Sequence, residues 1–304
     1  MKTTTKIIAD SINMEGARIT TFEVTAPRFL LAEVNTHRVI AKSAASSRAI
    51  PVQKRIDMVL GEPFVPSIFG KNRPGMQAVD TIDEEASKQA EAVWRGAATL
   101  AAGFAKELAN LEVHKQTANR ILEPYIYYSG VMTATEWDNF FFLRTHPDAQ
   151  PEFKELAEMM LEAYRASKPV VCRYHLPYLK EEDLSLSLAD QFSVSAARCA
   201  RVSYKTFDGK TSTTEADKKL CQDLIASGHL SPFDHPATTD IATTSVHEDG
   251  VLRKYWNNPR EQRHLWGWIP KRVEIEREKG WVCARNSYDE ILPDRLKVGV
   301  KHTT

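Results

Sequence analysis

The sequence predicts an α+β fold, and three observations carry that prediction. The run ITTFEVT, residues 19–25, mixes β-branched and aromatic residues in the manner of a strand. From residue 81 to residue 164, apolar side chains recur instead at spacings of three and four, the period of amphipathic helices. No G-x-G-x-x-G, G-x-x-x-x-G-K-[ST], G-x-S-x-G or H-E-x-x-H occurs, so the Rossmann, P-loop, α/β-hydrolase and zincin architectures lose their main support.

Taken in order, the 19–25 strand is bounded by Ala26-Pro27, a turn or helix start. Thr81 and Glu84 have capping-box spacing, and Ala90, Val93, Trp94, Ala97, Ala101, Phe104, Leu108 and Leu111 follow at helical spacing, predicting one long helix over 81–111. Thr133 and Glu136 predict a second cap, opening a short helix that carries Asn139 and ends near Arg144. Phe153, Leu156, Ala157, Met160, Leu161 and Tyr164 mark a further helix. Residues 169–194, with Pro169, Pro177 and a Glu-Glu-Asp run, read as a connector between a 1–168 half and a 195–304 half. Beyond it, residues 214–227 read as a helix closed by Gly228, and the last dozen residues as a frayed end.

Composition narrows the function. The 304 residues are 42% hydrophobic and 26% charged, enough for one large or two modest domains. Forty basic residues balance forty acidic ones, which excludes the overall charge of a polybasic nucleic-acid binder. MKTTTKIIADS lacks a signal-peptide core and no segment approaches the length of a membrane span, so a cytoplasmic protein is expected. Cys172, Cys199, Cys221 and Cys283 stand without C-x-x-C pairing, against both a disulfide framework and a zinc site.

Three segments have residues suited to chemistry. NTHRVIAKSAASSR, residues 35–48, holds His37, Arg38, Lys42 and Arg48 among three serines. Arginine forks and rotatable hydroxyls suit a phosphate or a pyrimidine carbonyl, and a solvated basic turn is the bland alternative. In FFFLRTHPDAQPEF, Arg144 sits at the edge of an apolar run, either in a structural ion pair or in an anion site. SGHLSPFDH, residues 227–235, offers His229 and His235 but no third metal ligand at familiar spacing, so loop histidines are the default there.

Together these segments resemble the flavin-dependent thymidylate synthases, the ThyX family, whose signature is R-H-R-x-x-S-x-N-E-x-S-x-R. THRVIAKSAASSR follows it in register at His37, Arg38, Ser46 and Arg48, and ITTFEVTAPRFLLAEVN resembles the family's approach to it. ANRILEP and NFFFLRTHPDAQPEF resemble its downstream arginine segments. SAARCARVSY and SGHLSPFDH resemble stretches that the family places before the signature, so the order here is that of a circular permutation. Thr36, Ala41, Ser43 and Ala44 depart from the signature, and Asp148, with His146 before it, stands where the family has its His before Ala-Gln. Arg260, Arg263, His264, Lys271 and Arg272, in a tail with no family counterpart, are the donors available in compensation.

The resemblance implies an antiparallel sheet packed with long helices and a homotetramer with active sites between subunits. It implies reductive methylation of dUMP to dTMP with methylenetetrahydrofolate, FAD and NADPH, without cysteine attack on the ring. By the same resemblance Arg144 is the catalytic residue, stabilising charge on the ring oxygens as uracil C5 becomes a nucleophile. Ser46, Ser47 and Arg48 would hold the phosphate, and Glu33 and Arg120 the base and sugar. His37, Arg38, Val39, Asn139, Ser231 and Asp234 would contact the flavin, with His229 near the folate. A related one-carbon transfer, hydroxymethylation of a deoxypyrimidine monophosphate, and a non-catalytic nucleotide- or flavin-binding homologue are the alternatives.

Overall fold

The computed structural model describes residues 2–75, 77–78, 80–202, 210–240, 243–246, 252–255 and 265–279. It is α+β. Its main sheet holds β1 (Thr4–Ile12), β2 (Arg18–Pro27), β3 (Ala41–Ala44), β4 (Tyr127–Ala134) and β5 (Val170–Val171) in the order β3-β4-β2-β1-β5. Every pairing is antiparallel except β1 with β5. The 19–25 strand is β2, lengthened at both ends, whereas β1 is an addition: its TTKIIADSI alternates too weakly to announce itself.

β2 lies at the centre and is covered on both faces, which is why it reads as a near-continuous β-prone run. Phe22, Val24 and Ala26 point to one face and pack with Tyr128 and Met132 of β4, Trp137, and Phe140, Phe153 and Leu156 from helices α5 (Asp138–Arg144) and α6 (Pro151–Ala166). The intervening residues point the other way, toward the C-terminal half: Ile19 meets Ala237, Leu265 and Trp268, while Val131 of β4 meets Tyr178, Cys199 and Val202.

Between β3 and β4 the chain supplies α2 (Val52–Gly61), α3 (Glu84–Asn110) and α4 (Lys115–Ala118), α1 (Leu31–Val34) having preceded β3. The N-cap of α3 is Asp83, whose carboxylate accepts from the Ala86 amide, so the cap lies two residues later than the Thr81–Glu84 spacing predicts. Its core face also differs from the expected stripe. Ala98, Ala102 and Ala105 are buried against α2, while Val93, Leu100, Phe104 and Leu111 are exposed. Small residues let the two helices approach closely and leave the bulky stripe outward.

The predicted cap at Thr133 is instead strand: Thr133 lies in β4 and α5 begins after Trp137. The helix still ends at Arg144, and α6 covers the apolar repeat predicted for it. Residues 169–194 carry β5, β6 (Tyr174–His175), a 3₁₀ turn at Glu181–Ser185 and the first turns of α7 (Leu188–Arg201). α8 (Thr214–Ala226) ends as predicted, with Gly228 at φ +72°. β7 (Ala237–Thr239) joins β6 and β10 (Trp268–Pro270) in a second sheet, β8 (Thr243–Val246) pairs with β9 (Leu252–Tyr255), and α9 (Lys271–Glu278) closes the described chain. No helix among the described residues is long and apolar enough to cross a membrane.

Candidate active site

β3 is the edge strand of the main sheet, and its residues alternate between the two faces. Lys42, opposite Met132, serves one side; Ser43, opposite Val131, serves the other. The predicted site residues divide along this seam.

On the Lys42 side, α1 and the turn after it bring Glu33 and His37 to the last residue of α5. Arg144 Nε donates to His37 Nε2 at 2.9 Å, and its Nη1 donates to Glu33 Oε2 at 3.2 Å. The guanidinium lies 4.4 Å above the Phe153 ring, and the His37 imidazole is edge-on to Phe140 and Phe153. Burial, then the charges of Arg144 and Lys42, lower the His37 pKa from 6.5 to about 4. His37 is therefore neutral at pH 7, and because its Nε2 accepts from Arg144 its proton sits on Nδ1. Lys42 Nζ ties the loop down by donating to the carbonyls of Val34 and His37 at 3.3 and 2.5 Å. Burial also lowers the Lys42 pKa. Arg144 is thus held by two acceptors against aromatic rings, with its side chain 20% exposed.

Past β3, a 3₁₀ turn at Ser47–Ala49 meets another at Asn119–Tyr125. Ser47 is buried and its hydroxyl donates to Glu123, while Asn119 Nδ2 donates to the carbonyls of Ser47 and Ile50 at 2.7 and 2.9 Å. Arg120 Nη1 is 3.0 Å from Glu123 Oε1, and Arg28 Nη2 is 3.7 Å from the same oxygen. Ser46 and Arg48 flank this cluster and are exposed. Ser47 and Arg120 are thus brought together through Glu123, which no local sequence pattern marks.

On the Ser43 side lies SGHLSPFDH. His235 Nε2 is 2.9 Å from Ser43 Oγ across 192 positions of sequence, and its Nδ1 is 2.8 Å from Thr133 Oγ1. The chain of hydrogen bonds continues from Thr133 to Thr21 at 2.7 Å, to His175 at 2.7 Å and to Ser11 at 2.8 Å. The segment that follows the helical half in sequence thus returns to β3. Asp234 pairs with Arg272 at 3.2 Å, while Arg272 also holds Glu276 at 2.8 Å and Lys271 pairs with Glu274. Ser231 is exposed, and His229 bonds its own helix end through Ser227 at 2.9 Å, the default reading for that histidine. Arg38, Val39 and Asn139 are exposed as well. Arg260, Arg263 and His264 lie outside the described residues. No group of three metal-ligating side chains occurs among the described residues.

The edge strand of the sheet thus lies between a partly buried Arg–His–Glu cluster and a set of serine and arginine donors, in an α+β frame. Residues 14–170 match the family described as thymidylate synthase complementing protein, and the chain belongs to that family. No curated protein matches it. Among solved structures it is similar to the UMP/dUMP methylase PolB from Streptomyces cacaoi bound with 5-Br UMP, at 18% identity over 54% of this chain and 88% of that one, TM-score 0.44. The same enzyme bound with 5-Br dUMP matches at 17% identity over 54% and 90%, TM-score 0.46.

Proposed function

We propose that the protein is a flavin-dependent thymidylate synthase acting in the cytosol, which methylates dUMP reductively to dTMP with methylenetetrahydrofolate as carbon donor and NADPH as reductant. The observation that carries this reading is Arg144 held between neutral His37 and Glu33 over the Phe153 ring. Uracil C5 attacks an electrophile only when charge developing on the ring oxygens is stabilised, and a pre-aimed guanidinium against apolar rings does so with little reorganisation. His37 stays neutral, so it orients Arg144 without adding a competing donor or charge. Ser46, Ser47, Arg48 and Arg120 are assigned to the nucleotide, with Glu33 directed to the base.

The donor chemistry present fits FAD. Arg38 and Ser231 are exposed partners for a diphosphate, Asn139 for a polar ring edge, and Val39 for an apolar face, while Asp234, on the Ser43 side, is anchored by Arg272. When bound, the flavin supplies the hydride that turns the transferred one-carbon unit into a methyl group. His229 is assigned to the folate. The flavin partners stand on an open surface of one chain, which supports a homotetramer with each site closed by a neighbour.

Hydroxymethylation of a deoxypyrimidine monophosphate is the second reading, favoured by one observation: Ser43-Ala44 replaces the signature's Asn-Glu, and Ser43 is engaged by His235. Incubation of purified protein with dUMP, methylenetetrahydrofolate, NADPH and FAD, followed by mass spectrometry, tests both. dTMP formation supports the first reading, a hydroxymethylated product replaces it with the second, and no turnover despite tight dUMP binding leaves a nucleotide-binding homologue.

A further inference from the structure

Four buried side-chain polar atoms lack a hydrogen-bond partner among the described residues: Thr5 Oγ1, Arg55 Nε, Asn119 Oδ1 and Tyr128 Oη. Buried polar groups are almost always paired, so each calls for an explanation. Three of the four belong to one cluster. Asn119 holds Ser47, Ser47 donates to Glu123, Glu123 pairs with Arg28, and the charge of Arg28 acts on both Arg55 and Tyr128.

The charge of this cluster does not balance. Arg55, on the first turn of α2, is 2% exposed, and no ion pair engages it among the described residues; Arg28 is nearly as deep, with one carbonyl contact to Ala45 at 3.1 Å and the long pair to Glu123. Burial, then Arg28, lowers the Arg55 pKa to about 10, and burial lowers that of Arg28, yet both guanidiniums remain protonated at neutral pH. Among the described residues Glu123 is the one carboxylate coupled to them, and it is shared with Arg120 and Ser47. Arg28 and Arg55 against that one shared carboxylate leave an uncompensated positive charge in the interior. A buried cation without a counter-ion is costly, and a protein keeps one where a ligand supplies the missing charge.

We propose that Arg28 and Arg55 are the buried positive charges of a phosphate-monoester subsite whose open wall is formed by Ser47, Arg48 and Arg120, with Glu123 as the internal counter-ion. The ligand is a nucleoside monophosphate: its phosphate is an anion near pH 7 that supplies the missing negative charge, and its oxygens accept from forked donors. The inference rests on the nucleotide reading above and extends it to two arginines which that reading left out.

The test is calorimetry on the full chain with dUMP, deoxyuridine and inorganic phosphate, run beside thermal melts of wild type, Arg55→Met and Arg55→Lys. Arg55→Met is expected to weaken dUMP and inorganic phosphate roughly tenfold to a hundredfold, while leaving deoxyuridine binding as it was. Its ligand-free Tm is expected to hold or rise, because an unpaired buried charge is gone, and Arg55→Lys is expected to recover part of the phosphate affinity. A fall in Tm with equal loss of all three ligands, or an unchanged ratio of dUMP to deoxyuridine affinity, overturns the subsite. If Arg55→Met does not fold, Arg28→Gln is read by the same ratio. Wild-type protein that binds phosphate through Arg55 but refuses dUMP keeps the subsite and rejects the proposed function. Binding of dUMP that neither arginine affects rejects the subsite alone, and wild-type protein that binds neither ligand rejects both.

Discussion

Arg144 has its geometry fixed by two acceptors of different kinds, a neutral imidazole and a carboxylate, and each satisfies a different nitrogen of the guanidinium. Lysine would keep the charge and lose the fork. Arg144→Lys is therefore expected to lower the turnover of prereduced enzyme with dUMP and folate far more than it lowers dUMP affinity. A purely structural ion pair would show the opposite pattern, a lower Tm with proportionate loss of everything, and stopped-flow oxidation beside a melt separates the two. At the other cluster, Arg48→Ala and Arg120→Ala each remove an exposed cation. Loss of a charge-assisted contact costs about 1.5 to 3 kcal/mol, so dUMP dissociation constants are expected to rise by one to two orders of magnitude with unchanged Tm. Unaltered affinity in both removes them from the site. Residues of this kind were legible because an arginine at the end of an apolar run, or a Ser-Arg cluster without bulky neighbours, is poor core material. Arg28, Arg55 and Glu123 were not, since nothing in APRFLL, VQKRID or ILEPYI shows that the fold collects them at one point.

Among the elements, β2 announced itself and β1 did not, because β2 is buried on both faces whereas β1 is only partly covered. Thr133 misled for a related reason: a Thr three residues before Glu has the spacing of a cap, but its hydroxyl serves a chain of hydrogen bonds running across the sheet from Ser11 to Ser43. Such a chain joins residues up to 192 positions apart and leaves no local pattern. It has a measurable consequence. His175 is wholly buried within it, and burial lowers its pKa from 6.5 to about 3. Between those values the unfolded chain binds a proton that the folded chain refuses, so the stability from neutral His175 is full above pH 6.5 and is lost as pH falls toward 3. The slope for this group approaches about 1.4 kcal/mol per pH unit. Urea unfolding at pH 7, 6 and 5 is expected to show that decline, and His175→Gln to flatten it. An equal slope in the variant would assign the acid sensitivity to other groups.

At the scale of the whole molecule, two sets of exposed residues bear on the proposed assembly. One is the outward stripe of α3, where Leu100, Phe104 and Leu111 are 66%, 58% and 74% exposed along a helix whose opposite face is already packed. The other is the set of flavin-assigned residues Arg38, Val39, Asn139 and Ser231, all exposed. The helical period that predicted α3 from sequence was a sum of two faces, of which the bulkier points outward, as the face of the proposed assembly would. If the assembly also completes the cofactor site, the two surfaces are linked. Leu100→Glu with Phe104→Glu places charge on the stripe at positions that carry no weight in the monomer core. Light scattering after gel filtration is expected to show the tetramer replaced by smaller species with unchanged helicity, and FAD retention is expected to fall with assembly although no flavin contact has been altered. A smaller species that still holds FAD would place the whole cofactor site within one chain, and a tetramer that survives both substitutions would move the interface to another face.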